Sequence, residues 1–328
     1  MLTLTALWAG AYYRFMDTSK NHSAAPGLLN MSRALARSTR PKQWTKNLII
    51  FFALFFTANE QWELGEPGVA FSMLGKTALA FGLFSALSGA VYLVNDIFDI
   101  EVDRRHPKKR HRPIASGELP IPAGWVGAAV LMVLSVSLSF ALERHFGWVA
   151  LGYLVLMLAY SLVLKRLVLL DVFAISGGFV MRAVAGASVL QVPISPWLYI
   201  CTGLGALLIA LSKRRSELAV SGDDAGRQRH TLDRYTTSLL DQFIAIVAPS
   251  TLLAYTLYTF TAPNLPENHA MMLTIPFVVY GLFRYMFLVH VRDLGESPED
   301  ILITDFPLAV SIVLWLATAA TILLVFKG

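Results

Sequence analysis

The chain has 328 residues, of which 55% are apolar and 15% charged, with a mean hydropathy of +0.57. Soluble proteins carry about 25% charged residues, so a soluble class is excluded, and the same balance excludes disorder. One cysteine, Cys201, excludes a disulfide scaffold or thiolate zinc cluster, and in so apolar a chain the net charge of +5 names no partner until the placement of the charges is read, though no nucleic acid is expected.

Residues 1–37 read as a separate N-terminal segment, either an interfacial helix or a poorly ordered start, and 38–328 as one membrane domain. A membrane helix needs roughly 20 mostly apolar residues. Nine candidates follow in chain order: 44–58, 69–98, 121–142, 146–164, 167–190, 196–212, 239–261, 270–290 and 305–326. The first is short and the second overlong. Most of the 27 Lys and Arg fall before the first span or in the even-numbered connections. The positive-inside rule then places the N-terminus and those loops in the cytoplasm and the C-terminus outside. The expected fold class is an all-α bundle of nine transmembrane helices around a cytoplasm-facing polar cavity.

The strongest chemical signal closes the second span, where 95–103 reads NDIFDIEVD. At 100° per residue, Asp96, Asp99 and Asp103 share one helical stripe. Three carboxylates in a row repel one another, and a bridging divalent cation relieves that repulsion. Oxygen-only ligation suits Mg²⁺, which commonly takes one or two carboxylates plus substrate phosphates. A solvated helix end facing the basic loop is the plainer reading. That loop, RRHPKKRHRPIASG at 104–117, carries six cations in its first nine residues. They read either as membrane anchors or, at Arg112 above all, as a bidentate phosphate clamp. Gly117 ends the loop with a defined shape.

Asp171 and Arg182 stand inside an apolar stretch, three helical turns apart on one side. Charges in a span mark a site by default. Asp171 could equally begin a helix at the surface, and Arg182 could only tie helices together.

NDIFDIEVD followed by KRHRPIASG resembles the first aspartate-rich motif of the UbiA superfamily of intramembrane prenyltransferases. RPKQWTKN at 40–47 resembles the start of that family's first helix. YSLVLK at 160–165 resembles its Tyr-x-x-x-x-Lys, and Leu170-Asp171 with Arg182 resembles its fifth helix. The sixth span departs from the prenyltransferase pattern. It ends SKRRSEL at 212–218, one acid among three cations where a second acidic cluster is expected. That run, RPKQW at 40–44 and GESPED at 295–300 resemble the decaprenyl-phosphate phosphoribosyltransferase branch.

The resemblance implies transfer of a phosphoribosyl group from phosphoribosyl diphosphate to a polyprenyl phosphate, for cell-wall arabinan precursors. It implies Mg²⁺ on Asp96, Asp99 and Asp103, with Lys213 and Glu217 completing the catalytic set. Substrate binding falls to Arg40, Lys42, Gln43, Lys46, Asn95, Arg110, Arg112, Tyr160, Lys165, Asp171, Arg182 and Arg214. Lys213 and Glu217, four apart, read as helical neighbours. An apolar side opening should admit the lipid chain. The alternative is a prenyltransferase acting on an isoprenoid diphosphate. A transporter is a third reading, which the clustering of charged motifs at one face disfavours. The protein is expected in the cell membrane, and a homo-oligomer is left open.

Overall fold

The computed structural model describes residues 28–193, 195–221, 232–263, 265–292, 301 and 304–326. The sequence readings on 1–27 and on 295–300 lie outside these. The described residues are helical apart from turns and one isolated bridge, Ala58 with Trp62.

Helix α1 (Leu28–Ser38) is amphipathic and docks on the bundle. A Cβ at Gly127 or Gly89 would meet Leu35 or Thr39, so α1 and the residue after it sit close against two transmembrane helices. The boundary expected at 37/38 therefore falls inside a packed helix.

Among the described residues, eight helices are long and apolar enough to cross a membrane, against the nine expected. They comprise α3 (Pro67–Phe98), α6 (Ile121–Leu142), α7 (Arg144–Leu162), α8 (Leu170–Leu190), α9 (Pro196–Ser221), α10 (Thr237–Thr261), α11 (Ile275–Val291, with a preceding 3₁₀ turn Ala270–Thr274) and α12 (Phe306–Val325). The segment expected to be the first span is instead a 3₁₀ helix, Pro41–Ile50, followed by the short α2 (Phe51–Phe56). A 3₁₀ helix rises about 2.0 Å per residue and an α-helix about 1.5 Å. The two pieces together reach about 29 Å, close to the thickness of the hydrocarbon. Their ends agree with that reach. Arg40 pairs with Asp96 at the C-terminal end of α3, whereas Asn59 Nδ2 donates to Leu323 O (3.2 Å) and Leu324 O (2.9 Å) at the C-terminal end of α12.

The core between helices is apolar, with Ile50, Phe84, Leu87, Phe146 and Ala185 wholly buried in one cluster. Large apolar side chains also face outward, among them Phe71, Val126, Leu253, Phe283 and Val313. In water these would be a liability; against lipid they are the expected outer surface.

The helix ends are capped at both faces of the bundle. Glu143 accepts from His145 N and Phe146 N at the start of α7, and Asp305 accepts from Leu308 N (3.0 Å) at the start of α12. Burial works to raise the Glu143 carboxyl, but hydrogen bonds from Gln191, Phe146 N and His145 outweigh it and hold the group at about 2. Between α3 and α6 lie two short helices, α4 (Ile100–Arg105) and α5 (Pro113–Ser116). Gly117 ends α5 with φ of 87°, a left-handed conformation that only glycine adopts cheaply.

Candidate active site

The buried charges collect at one end of the bundle, where α3, α7, α9 and α11 finish and α8, α10 and α12 begin. The aspartate stripe arrives there broken. Helix α3 stops at Phe98, Asp99 is the junction residue with φ −96° and ψ 7°, and α4 resumes at Ile100. The break divides the three carboxylates between two ion-pair groups.

Asp96 and Asp103 form the first group, each only 2% exposed. Arg112 Nη1 bridges them, 3.1 Å from Asp96 Oδ1 and 2.6 Å from Asp103 Oδ2. Arg40 adds a second guanidinium on Asp96 Oδ1, and its own face lies 4.8 Å from the Tyr92 ring centroid. The left-handed φ of 53° at Arg40 turns the chain from α1 into the 3₁₀ helix and aims the side chain at α3. In the second group Lys165 Nζ lies 2.6 Å from Asp99 Oδ1 and 3.3 Å from Asn95 Oδ1, while Asn95 Nδ2 donates to Asp99 Oδ2 at 3.0 Å. Asn95, Asp99 and Lys165 thus form one polar triangle between the ends of α3 and α7.

A third group lies where α8 begins and α9 ends. Arg214, 1% exposed, donates through Nε to Asp171 Oδ2 (2.9 Å) and through Nη1 to Glu217 Oε2 (2.5 Å). Tyr160 lies within electrostatic reach of Arg214. Tyr235 Oη accepts from Leu169 N (2.7 Å) and donates to the other Asp171 oxygen at 3.2 Å. Burial holds the Tyr235 phenol above its usual range, which keeps it a donor at neutral pH. Tyr235 and Tyr92 were missed in the sequence; each stands far along the chain from the charge it serves.

Several expectations change here. Glu217 pairs with Arg214, three residues away, rather than with Lys213. Arg214 is enclosed by two carboxylates, so its charge is already met within the protein. Asp171 is fully buried and Arg182 nearly so, and their side chains join separate networks. Both were expected to contact substrate; the contacts made here are with Arg214 and Tyr235 for Asp171 and with Asn47, Gly178 and Tyr153 for Arg182. Arg110 is exposed, its Nε 3.3 Å from His111 Nε2, and it pairs with none of the aspartates. Lys46 donates to Gln43 Oε1, three residues back in the 3₁₀ helix. Lys42 is exposed and Lys213 half-buried, and neither has an ion pair among the described residues. Both, like the exposed Arg110, can receive an anion from outside.

At this end, among the described residues, cations and carboxylates close on one another. A recess of about 350 Å³ opens at the opposite end, between His145, Gln191 and Tyr199. It contains none of the expected site residues.

Among the described residues no three His, Cys, Asp or Glu side chains converge on a point that could hold a metal ion. The donor chemistry nevertheless fits Mg²⁺. Every candidate ligand is an oxygen, and the ion pairs engage only one oxygen of Asp96 and one of Asp103. Mg²⁺ commonly binds through one or two carboxylates and completes its shell with substrate phosphates and water, so a preformed three-carboxylate cage is not required.

Residues 36–300 match the model of the UbiA prenyltransferase family. The chain is 32% identical over 292 residues to a decaprenyl-phosphate phosphoribosyltransferase of Mycobacterium tuberculosis, covering 88% of this chain and 94% of that protein. It is 31% identical to the protein of that name from Mycolicibacterium smegmatis, over 88% of this chain and 92% of the relative. The fold matches a UbiA homologue from Archaeoglobus fulgidus solved with GPP and Mg²⁺, with a TM-score of 0.66, 18% identity, and coverage of 88% of this chain and 99% of that one.

Proposed function

The chain belongs to the UbiA prenyltransferase family, and on that premise we propose that it transfers a 5-phosphoribosyl group from phosphoribosyl diphosphate to a polyprenyl phosphate. The observation that carries this reading is the near full-length likeness to relatives named for that reaction, at 32% and 31% identity. Lys213, half-buried toward the end of α9, supports it, because both substrates bring phosphates to one place.

An oxygen of the lipid phosphate attacks C1 of the ribose as the C1–O bond to diphosphate breaks, and diphosphate departs. The nucleophile is already anionic, so no general base is needed. One or two of Asp96, Asp99 and Asp103, together with the diphosphate itself, would hold Mg²⁺, which would supply charge neutralisation of the leaving group. Lys42 and Lys213 bind phosphate oxygens directly. Arg40, Arg112 and Lys165 are held in place by their carboxylates and can exchange part of that pairing for phosphate. Glu217, at the edge of the Arg214 group, accepts from a ribose hydroxyl. The lipid tail enters from the side, out of the bilayer. The charged end faces the cytoplasm, a reading that the distribution of basic residues supports, and the protein lies in the cell membrane.

A prenyl transfer is the second reading, favoured by the likeness in fold to a protein solved with GPP. Donor competition in detergent separates the two. Phosphoribosyl diphosphate, a prenyl diphosphate and a polyprenyl phosphate are supplied together with Mg²⁺. Phosphoribosyl transfer with the prenyl diphosphate inert is expected; the reverse overturns the assignment.

A further inference from the structure

Arg182 is the buried charge that this reaction leaves without a task. It is 5% exposed and lies about 16 Å deeper in the bundle than Asp171, at 1.5 Å per helical residue. Among the described residues it meets no carboxylate. Its donors go to Asn47 Oδ1 (2.6 Å), Gly178 O (2.8 Å) and Tyr153 Oη (2.9 Å), and its face lies 4.9 Å from the Tyr153 ring and 5.2 Å from that of Phe179. A guanidinium at such depth is costly unless its hydrogen bonds are well made. A neutral residue would tie helices at lower cost.

The task shows at Asn47, which belongs to the 3₁₀ helix Pro41–Ile50. In a 3₁₀ helix residues three apart eclipse, so Asn47 and Ile50 share an edge. On α8, Arg182 and Gly186 are four apart and share a face. The two edges meet at both points. Arg182 bonds Asn47, and the Ile50 carbonyl lies so close to Gly186 that a Cβ there would overlap it. Two contacts one turn apart fix both the height and the rotation of the first segment on α8. Asn47 is held from the other side by Ser85 Oγ, which it donates to at 2.9 Å. Toward its start the same segment presents Lys46, Gln43, Lys42 and Arg40, the last against Asp96.

We infer that Arg182 is a positioning residue: through Asn47 it sets the height and rotation of the first segment, and so places Arg40, Lys42 and Lys46 at the charged end. The inference rests on the proposed reaction for the identity of the anion those cations receive, but its geometry can be tested without turnover.

The variants are Asn47→Leu, Asn47→Asp, Arg182→Gln and Tyr153→Phe, each in a Cys201→Ser background. Tyr153→Phe removes a hydrogen bond from the same guanidinium without touching the first segment. Spin labels at Thr45 and Lys108, read by pulsed dipolar spectroscopy, report the segment's position. Asn47→Leu and Arg182→Gln should shift or broaden that distance by about 2 Å or more, one 3₁₀ residue's rise. Tyr153→Phe and Asn47→Asp should leave it unchanged. In the transfer assay Asn47→Leu should raise KM for phosphoribosyl diphosphate about ten-fold or more, with a smaller change in kcat. Asn47→Asp, which keeps the acceptor, should stay near wild type. Unchanged distance and KM in Asn47→Leu would overturn the inference. So would identical changes in Tyr153→Phe, since Arg182 would then be a tie for the whole bundle. If Arg182→Gln does not fold, the contrast between Asn47→Leu and Tyr153→Phe still decides. Wild-type protein that ignores phosphoribosyl diphosphate refutes the reaction, and the distance measurement then judges the positioning role alone.

Discussion

Replacing Arg112 with alanine removes a single guanidinium nitrogen shared by two buried carboxylates. Asp96 keeps Arg40, but Asp103 loses its ion partner. Breaking a fully buried pair by deleting one member costs about 3–5 kcal/mol. Arg112 is 26% exposed at its side chain, so water replaces part of what is lost. That solvation brings the cost below the fully buried range, to about 2–3 kcal/mol. At about 1.4 kcal/mol per decade, the loop containing α4 and α5 should open about 30- to 140-fold more often. Backbone hydrogen exchange over residues 100–117, measured by mass spectrometry in detergent or nanodiscs, reads this directly. Asp103→Asn in the same chain should recover much of the protection, because the buried charge is removed with its partner. Unchanged exchange in Arg112→Ala, or a double variant worse than either single one, would show that the bridge does not hold the loop.

Chelation should abolish turnover and added Mg²⁺ restore it, and Asp96→Asn or Asp99→Asn should abolish it without altering elution as a folded particle; activity surviving both treatments would make the carboxylates structural. Glu143 gives a pH dependence of known sign. Its folded-state pKa of about 2 lies below the ordinary 4.5, so its contribution to stability is complete above about 4.5 and is lost as pH falls toward 2. Glu143→Gln should flatten that part of the melting-temperature profile while leaving the rest in place. Cysteines at Gln61 and Pro107, both exposed and at opposite ends of the bundle, should react with impermeant reagent from opposite sides of the membrane. Labelling of both from one side would contradict the topology.

The eight long helices were legible because hydropathy largely sets their lengths, although Pro196–Ser221 runs nine residues past the expected end at 212. Several, such as Ile121–Leu142, begin and end where the pattern does. The first segment was not, since 44–58 carries an apolar run but nothing local that says 3₁₀. Its shape depends on Asn47 and Ile50 meeting α8, more than 130 residues later in the chain. The helical period put Asp96, Asp99 and Asp103 on one stripe, and the stripe fails at Asp99 because the helix breaks there. Residue types foretold that cations and acids would gather at one end. They could not foretell the pairing, since Arg214 finds Asp171 43 residues away. Arg214 therefore read as a substrate-binding residue, whereas its donors are met by Asp171 and Glu217.

The deep arginine also bears on how the chain is inserted. A central arginine costs about 2.5–3.5 kcal/mol to pass from the translocon into lipid. Asn47, Tyr153 and Gly178, which accept its hydrogen bonds, all precede Arg182 in the chain, as Asp171 precedes Arg214. Apart from Glu217, which follows Arg214 by three residues, each of these acceptors thus reaches the membrane before the charge it meets. Helix α8 can leave the translocon against partners already in place rather than into bare lipid. Moving the first segment to the C-terminus by circular permutation would preserve every contact of the finished bundle and still remove that order.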